Sequence, residues 1–291
     1  MAEHRIDRLQ AGAAGRDGYC RRIRVDADRV FYCGDLGRPS MRRSGAINVY
    51  VALEAPLRFS FDGGPWQAGE CVVAQPYVEQ RLACDGRLIC DFMIEPESVD
   101  CAALPAFLRA GGAVRAPRFV QRVRAAAQGA PLAARSLDES LLDAPLPRRA
   151  MDPRIARVVE HLQQMPNSPM QAQAFAAQAR LSLSRFLHLF KEQTGRSYRT
   201  FRAWKRARML LPRINQPQNL ARLAQDIGYP DSSHFSHSIR QYFGICPKDI
   251  LAGCSRLQVV AGDAGGQRYC RALSTARDSR SALPSSITAI A

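Results

Sequence analysis

In the segment LSLSRFLHLFKEQTG, residues 181–195, Ser184, Arg185, His188 and Lys191 recur at a spacing that gathers them on one side of a helix. Hydroxyl, guanidinium and imidazole groups in that pattern can hydrogen-bond to base edges, and a lysine ammonium can meet a phosphate. Phe186, Leu189 and Phe190 fall on the other side, which is enough to fasten the helix to a core. A plain helical hairpin with a solvated face gives this pattern once. It does not give a second copy in register.

A second copy is present. In GYPDSSHFSHSIRQYFG, residues 228–244, Phe235, Ile239 and Gly244 follow Phe186, Phe190 and Gly195 at a constant interval of 49 positions. Ser182 falls on Asp231, both preferred N-cap residues, and the two glycines stand where a helix would end. A short helical stretch precedes each copy, AFAAQA and LARLAQDI, with Ala176 corresponding to Ala224. Short helix, tight turn and capped second helix, twice, make a pair of helix-turn-helix units, in which the second helix enters the DNA major groove. The helix between them, YRTFRAWKRARML, offers Phe201, Trp204 and Leu211 for packing and Arg202, Lys205, Arg206 and Arg208 as a solvated basic face. Such a connector should set the units on successive major grooves about 34 Å apart.

Charge agrees with that placement. The 291 residues carry a formal +15, and 152–250 hold 15 Lys/Arg against 6 Asp/Glu, so most of the excess lies in a third of the chain. A polyanion is the expected partner, nucleic acid before an acidic membrane surface. No window reaches the ~20 apolar residues of a membrane span and the amino terminus has no export pattern, so the expected location is the cytoplasm. The nine cysteines include no C-x-x-C pair, which leaves neither a disulfide scaffold nor a zinc site in view.

SRFLHLFKEQTGRS and DIGYPDSSHFSHSIRQYFGICP resemble the two recognition segments of the AraC/XylS family of bacterial transcription regulators. Ala224, Gly228, Tyr229, Phe235, Phe243, Gly244 and Pro247 stand at that family's motif positions. The resemblance implies base contacts by Ser184, Arg185, Leu187 and His188 in the first unit and by Ser233, His234, Ser236 and His237 in the second. Lys191, Arg196, Arg199 and Arg240 are the candidates for phosphate contacts. It further implies double-stranded promoter DNA and RNA polymerase as partners, activation of transcription, a small-molecule effector and a homodimer. Three places depart from the pattern: Arg180 replaces the usual turn glycine, which would strain a positive φ there, Pro212 cuts the connecting helix short, and Ile250-Leu251 follows Pro247 where the family often shows a Tyr-Arg pair. His234 and His237 have an i,i+3 spacing without a third ligand in view, so no metal and no cofactor are expected.

Between about Val30 and Ile94 the runs RVFYC, AINVYVAL, LRFSF, GECVVAQP and RLICDFMIE read as strands, with turns at Asp62-Gly63-Gly64-Pro65 and Cys84-Asp85-Gly86. Their spacing suits a small barrel or sandwich, and WQAGECVVAQP resembles an element of the cupin-type barrels found ahead of the paired units in this family. Enzymatic cupins hold a metal with several histidines, and this half has His4 alone, so no enzyme activity is expected. RFVQRVRAAAQ and ARSLDESLLD should form a helical hairpin, the candidate dimer surface. The fold class is therefore α+β: a cupin-like β-barrel with a helical hairpin over 1–145, a Pro-rich linker over 146–153, an all-α paired helix-turn-helix domain over 154–253, and a disordered tail over 254–291. Cys84 and Cys90 flank one turn and would face each other across a hairpin, giving a thiol switch that senses oxidants or electrophiles. A cysteine alkyl-acceptor enzyme fused to a DNA-binding module would instead need clustered zinc-binding cysteines, and the spacings here are scattered.

Overall fold

The computed structural model describes residues 18–37, 40–86, 88–132, 135–214, 219–247 and 257–260. Runs rich in Val, Ile, Phe and Tyr form β1 (Arg22–Val25), β2 (Arg29–Asp35), β3 (Ser40–Arg42), β4 (Ile47–Ala52), β5 (Leu57–Phe61), β6 (Gln67–Gly69), β7 (Cys71–Ala74), β8 (Gln80–Ala83) and β9 (Leu88–Ile94). A helical turn, α1 (Ala106–Arg109), precedes the short β10 (Gly112–Ala113). Seven strands order as β10-β7-β4-β9-β2-β1-β11 and four as β3-β8-β5-β6, where β11 is Gln258–Val260.

The sheets face each other. Tyr50, Val72 and Ile89 of the larger pack against Phe59 and Leu82 of the smaller. The larger sheet turns its other face, with Phe31, Cys33, Cys90 and Phe92, to α2 (Pro117–Ala127) and α3 (Leu137–Leu142), which bury Val120, Val123, Leu137 and Leu141 against it. Being covered on both sides, β4 and β7 are buried at every position. A capping box between Ser136 and Glu139 starts α3.

Three expectations are corrected here. The barrel is realised as an open sandwich, because among the described strands none is hydrogen-bonded into both sheets. The Asp62-Gly63 turn does close a hairpin, β5 on β6, whereas the turn at Cys84-Asp85-Gly86 passes the chain from the small sheet to the large one. The tail expected to be disordered also supplies structure: β11 runs parallel to β1, with Ile23 opposite Val259. An extended, β-branched segment there satisfies backbone groups that the β1 edge would otherwise leave unpaired. Leu257 ahead of β11 is buried, and the remaining residues of 254–291 lie outside the described residues.

Between Asp143 and Asp152 no helix forms, since Pro145 and Pro147 interrupt it, and Pro153 opens the next helix. The segment is tied to the strand half by the Leu146 amide donating to Asp138 at 3.2 Å and the Asp100 amide donating to Pro147 O at 2.8 Å. Among the described residues six helices follow: α4 (Pro153–Gln164), α5 (Ala172–Gln178), α6 (Leu183–Thr194), α7 (Tyr198–Arg208), α8 (Leu220–Ile227) and α9 (Ser232–Phe243). No helix among the described residues is long and apolar enough to cross a membrane.

Candidate nucleic-acid interface

Both helix-turn-helix units form, with matching local devices. Ser182 caps α6 by accepting the Arg185 amide, and Asp231 caps α9 by accepting the amides of Ser233 and His234. These backbone bonds hold the Asp231 carboxyl below its ordinary range. Gly195 and Gly244 end the helices at φ +73° and +71°, the left-handed conformation that glycine adopts without a Cβ clash. Arg180 occupies the turn of the first unit at φ +55°, so the strain expected at that position is present. α7 stops at Arg208, and Pro212 lies in a 3-10 turn over Leu211–Arg213, as its ring dictates.

Phe186, Leu189 and Phe190 are buried, in a core with Phe175, Tyr198 and Phe201 where the Phe190 ring meets Tyr198 at 5.4 Å and Phe201 at 5.3 Å. On the opposite side Ser184, Arg185, Leu187, His188 and Lys191 are all exposed. Leu187, placed equally well in a core or at the surface by its spacing, lies at the surface with 38% exposure. In α9, Phe235, Ile239, Tyr242 and Phe243 are buried, Ser233, His234 and His237 are exposed, and Ser236 is half-buried. Each unit thus presents hydroxyl and imidazole donors from the first turns of its second helix, the part that meets base edges in such units. His234 lies 3.9 Å from the Asp231 carboxylate. No group of three or more His, Cys, Asp or Glu suited to a metal occurs among the described residues.

The four cations assigned to phosphates differ in freedom. Lys191 and Arg199 stand exposed. Arg240 is exposed too, with its guanidinium on Cys246 Sγ at 2.8 Å. Arg196 reaches the strand half, donating to Pro76 O at 3.1 Å and lying 4.4 Å over the Tyr77 ring.

The connecting helix corrects the sequence reading most. Instead of a solvated basic face, α7 buries Lys205 and Arg208 together with Trp204 against the strand half. Glu95 Oε2 accepts from Lys205 Nζ at 2.7 Å and from the Trp204 indole at 2.9 Å, while Arg208 Nε lies 2.8 Å from Glu95 Oε1. Lys205 also pairs with Glu97, and Arg208 donates to Asp26 O at 2.6 Å. Burial alone would raise the Glu95 carboxyl, but Lys205 and Arg208 bring it below its usual range. Burial keeps Glu97 above its own despite Lys205. Arg202 donates to Met170 O at 3.2 Å and Arg206 stacks 5.6 Å over Tyr229, so neither is simply solvated. Sequence spacing carried no signal for this: Glu95 and Lys205 are 110 positions apart.

The thiol pair is corrected as well. Cys84 lies just past β8 in the small sheet, its Sγ 3.5 Å from Ala55 O, while Cys90 lies within β9 in the large sheet. No hairpin brings them face to face. Cys90 stands opposite Cys33, and burial, with Cys33 beside it, pushes its thiol well up.

A family model described as a helix-turn-helix domain matches residues 175–253. The arabinose operon regulatory protein of Escherichia coli (strain K12) is 29% identical over 108 residues, covering 36% of this chain and 36% of that protein. Its counterpart in Salmonella typhimurium (strain LT2) is also 29% identical over 108 residues, which is 38% of that protein. This chain therefore spans little more than a third of the length of the curated relatives it matches. An apo crystal structure of ToxT from Vibrio cholerae superposes with a TM-score of 0.51 at 9% identity, over 78% of this chain and 97% of that one. ToxT bound to (E)-4-(8-methylnaphthalen-1-yl)but-3-enoic acid gives a TM-score of 0.50 at 7% identity, over 78% of this chain and 100% of that one. At such identity the likeness concerns the fold. The residues that carry sequence kinship are those of the two capped units, and over that helical half the chain is similar to the AraC/XylS family of DNA-binding transcription regulators.

Proposed function

We propose that the protein binds promoter DNA in a sequence-specific manner and activates transcription in response to a small-molecule effector. One observation carries this: two capped helices of one domain turn Ser184, Arg185 and His188, and Ser233, His234 and His237, to solvent while their aromatic sides are buried. In this reading Ser184, Arg185, Leu187, His188, Ser233, His234, Ser236 and His237 read bases. Lys191, Arg199 and Arg240 neutralise phosphates, and Arg196 joins them once it leaves Tyr77. RNA polymerase is the partner that activation requires, a homodimer forms through the α2–α3 hairpin, and the cytoplasm is the compartment. The functional division runs 1–145 for sensing, 146–153 as linker and 154–253 for DNA.

An effector site is supported by a cavity of about 170 Å³ between the large sheet and the helical half. Ile23, Ile89 and Met93 line it from the sheet, and Leu211 and Phe243 from the helices. Arg42 and Asp91 supply its polar wall, and Arg42 Nε is buried without a hydrogen-bond partner. An apolar body with a polar head suits such walls. The acid bound by ToxT is a molecule of that kind.

The test is a binding-site selection from random duplexes, repeated with two variants. Arg185→Ala relaxes preference at one base position, because a bidentate Arg–guanine pair gives about 1–3 kcal/mol of discrimination. Lys191→Ala weakens all sites alike and lowers the slope of log affinity against log salt by about 1. Indistinguishable behaviour of the two variants would refute the assignment, and failure of the wild type to select any sequence would refute the function.

A further inference from the structure

The apolar core of the helical half is divided unequally. Ile155, Leu162, Phe175, Phe186, Phe190 and Phe201 close the core of the first unit within that unit and the helices beside it. The second unit shares its core with the strand half: Leu223, Ile227, Phe235 and Ile239 are continuous with Ile23, Val25, Val30 and Ala46. α7 spans both, giving Tyr198 and Phe201 to the first core and Trp204 and Ala207 to the second.

The buried ionic cluster grips α7 on its carboxy-terminal half, the half that carries the second core. Glu95 alone receives the Trp204 indole, Lys205 and Arg208, and Glu97 adds a second carboxylate on Lys205. Gly45 brings the strand-half backbone against the Trp204 ring, where a Cβ would come within 2.4 Å of it. The far end of α9 rests on the same half, with the Arg43 amide donating to Gln241 O at 2.7 Å. The first unit touches the strand half through the exposed Arg196 and where α6 passes the 3-10 turn Pro96–Ser98. An exposed contact such as that of Arg196 contributes little, whereas a buried ion cluster cannot lose one member without stranding a charge. The recognition sides of α6 and α9 are exposed in this arrangement, so the grip orients them and does not cover them.

We propose that Glu95 and Glu97 are positioning residues for DNA binding, which fix the carboxy-terminal half of α7 and so set the second recognition helix, while the first is set by its own core. The inference rests on the DNA-binding reading above. It makes the strand half a controller of one half-site and not of the other.

The full-length chain is tested on duplexes selected by the wild type, with bases substituted singly in each half-site. The half read by α9 is identified as the one where His237→Ala relaxes preference. Three unlike disturbances of the joint are compared: Glu95→Gln removes the charge, Trp204→Phe removes the indole N–H shared by both Glu95 oxygens and leaves a smaller aromatic ring, and Gly45→Ala pushes the ring from the other side. Each should lower discrimination in the α9 half-site at least about tenfold, the effect of losing a base-reading pair, and leave the α6 half-site within about twofold. Equal losses in both halves, or an α9 half-site that is unchanged or improved in Trp204→Phe and Gly45→Ala, overturn the positioning role. Trp204→Phe and Gly45→Ala decide the matter if Glu95→Gln does not fold. A wild type that selects no sequence removes the functional reading itself, and this inference with it; a selecting wild type with symmetric variants removes this inference alone.

Discussion

Gly195 and Gly244 are equivalent in the repeat, yet alanine should cost much more at the second. Both end a recognition helix, at φ +73° and +71°, where an L-residue costs about 1–2 kcal/mol from the Cβ clash with its own backbone. Around Gly195 a Cβ meets nothing within 4 Å, so that backbone strain is the whole effect. At Gly244 a Cβ would sit 2.5 Å from Ser40 Oγ, 2.8 Å from Arg42 Nε and 3.1 Å from Arg42 Cβ. The Ser40 hydroxyl can swing away, but Arg42 is only 7% exposed and must shift within packed surroundings. Overpacking of this kind adds about 1–3 kcal/mol. The expected losses are therefore about 1–2 kcal/mol for Gly195→Ala and about 2–5 kcal/mol for Gly244→Ala. Urea unfolding of the full-length variants measures both, with the slope against denaturant checked for constancy. Asparagine, which tolerates the left-handed region, should recover most of the loss at Gly195 and little at Gly244. Equal losses at the two glycines would refute the close approach of β3 to the end of α9.

Asp91 predicts a pH effect. Burial lifts its carboxyl to about 7, against the opposing pull of Asn48, which donates to both oxygens, and of Arg42. The folded state therefore favours the neutral acid, and its contribution to stability is complete below the unfolded value and is lost as pH rises from 3.8 through about 7. The loss amounts to at most about 4 kcal/mol. Asp91→Asn should flatten the dependence of unfolding free energy on pH over that window, and an unchanged slope rules out the assignment. Thiol labelling of the native protein, read residue by residue by mass spectrometry, should modify the exposed Cys101 well before Cys33, Cys71 and Cys90. Those three are buried, and burial pushes Cys71 up to about 12. Fast labelling of Cys90 would contradict the packing beneath α2 and α3.

Much of the helical half was legible because its signals are local. The positions of Phe186, Leu189 and Phe190, the caps at Ser182 and Asp231 and the glycines at 195 and 244 each act within a turn or two, and the structure uses each as the spacing implies. The departure at Arg180 was equally local, and its positive φ is present. In the strand half the apolar runs of β2, β4, β5, β7 and β9 were legible, while β1, β3, β6 and β8, of three or four residues each with Arg, Ser or Gln among them, offered no such run. The Cys84 turn misled because a tight turn specifies a reversal of the chain and not the sheet that the next strand joins.

The sequence by itself determined that two capped amphipathic helices would be made, with their aromatic sides inward and their hydroxyl, guanidinium and imidazole groups outward. Only the tertiary structure decided what became of the remaining charge. Lys205 and Arg208 are indistinguishable in type from the exposed Lys191 and Arg199, yet they end in the interior because Glu95 and Glu97 arrive there from over a hundred positions away. A cation leaves water only where an opposite charge waits for it, and that condition is set by the meeting of distant segments, not by neighbours along the chain.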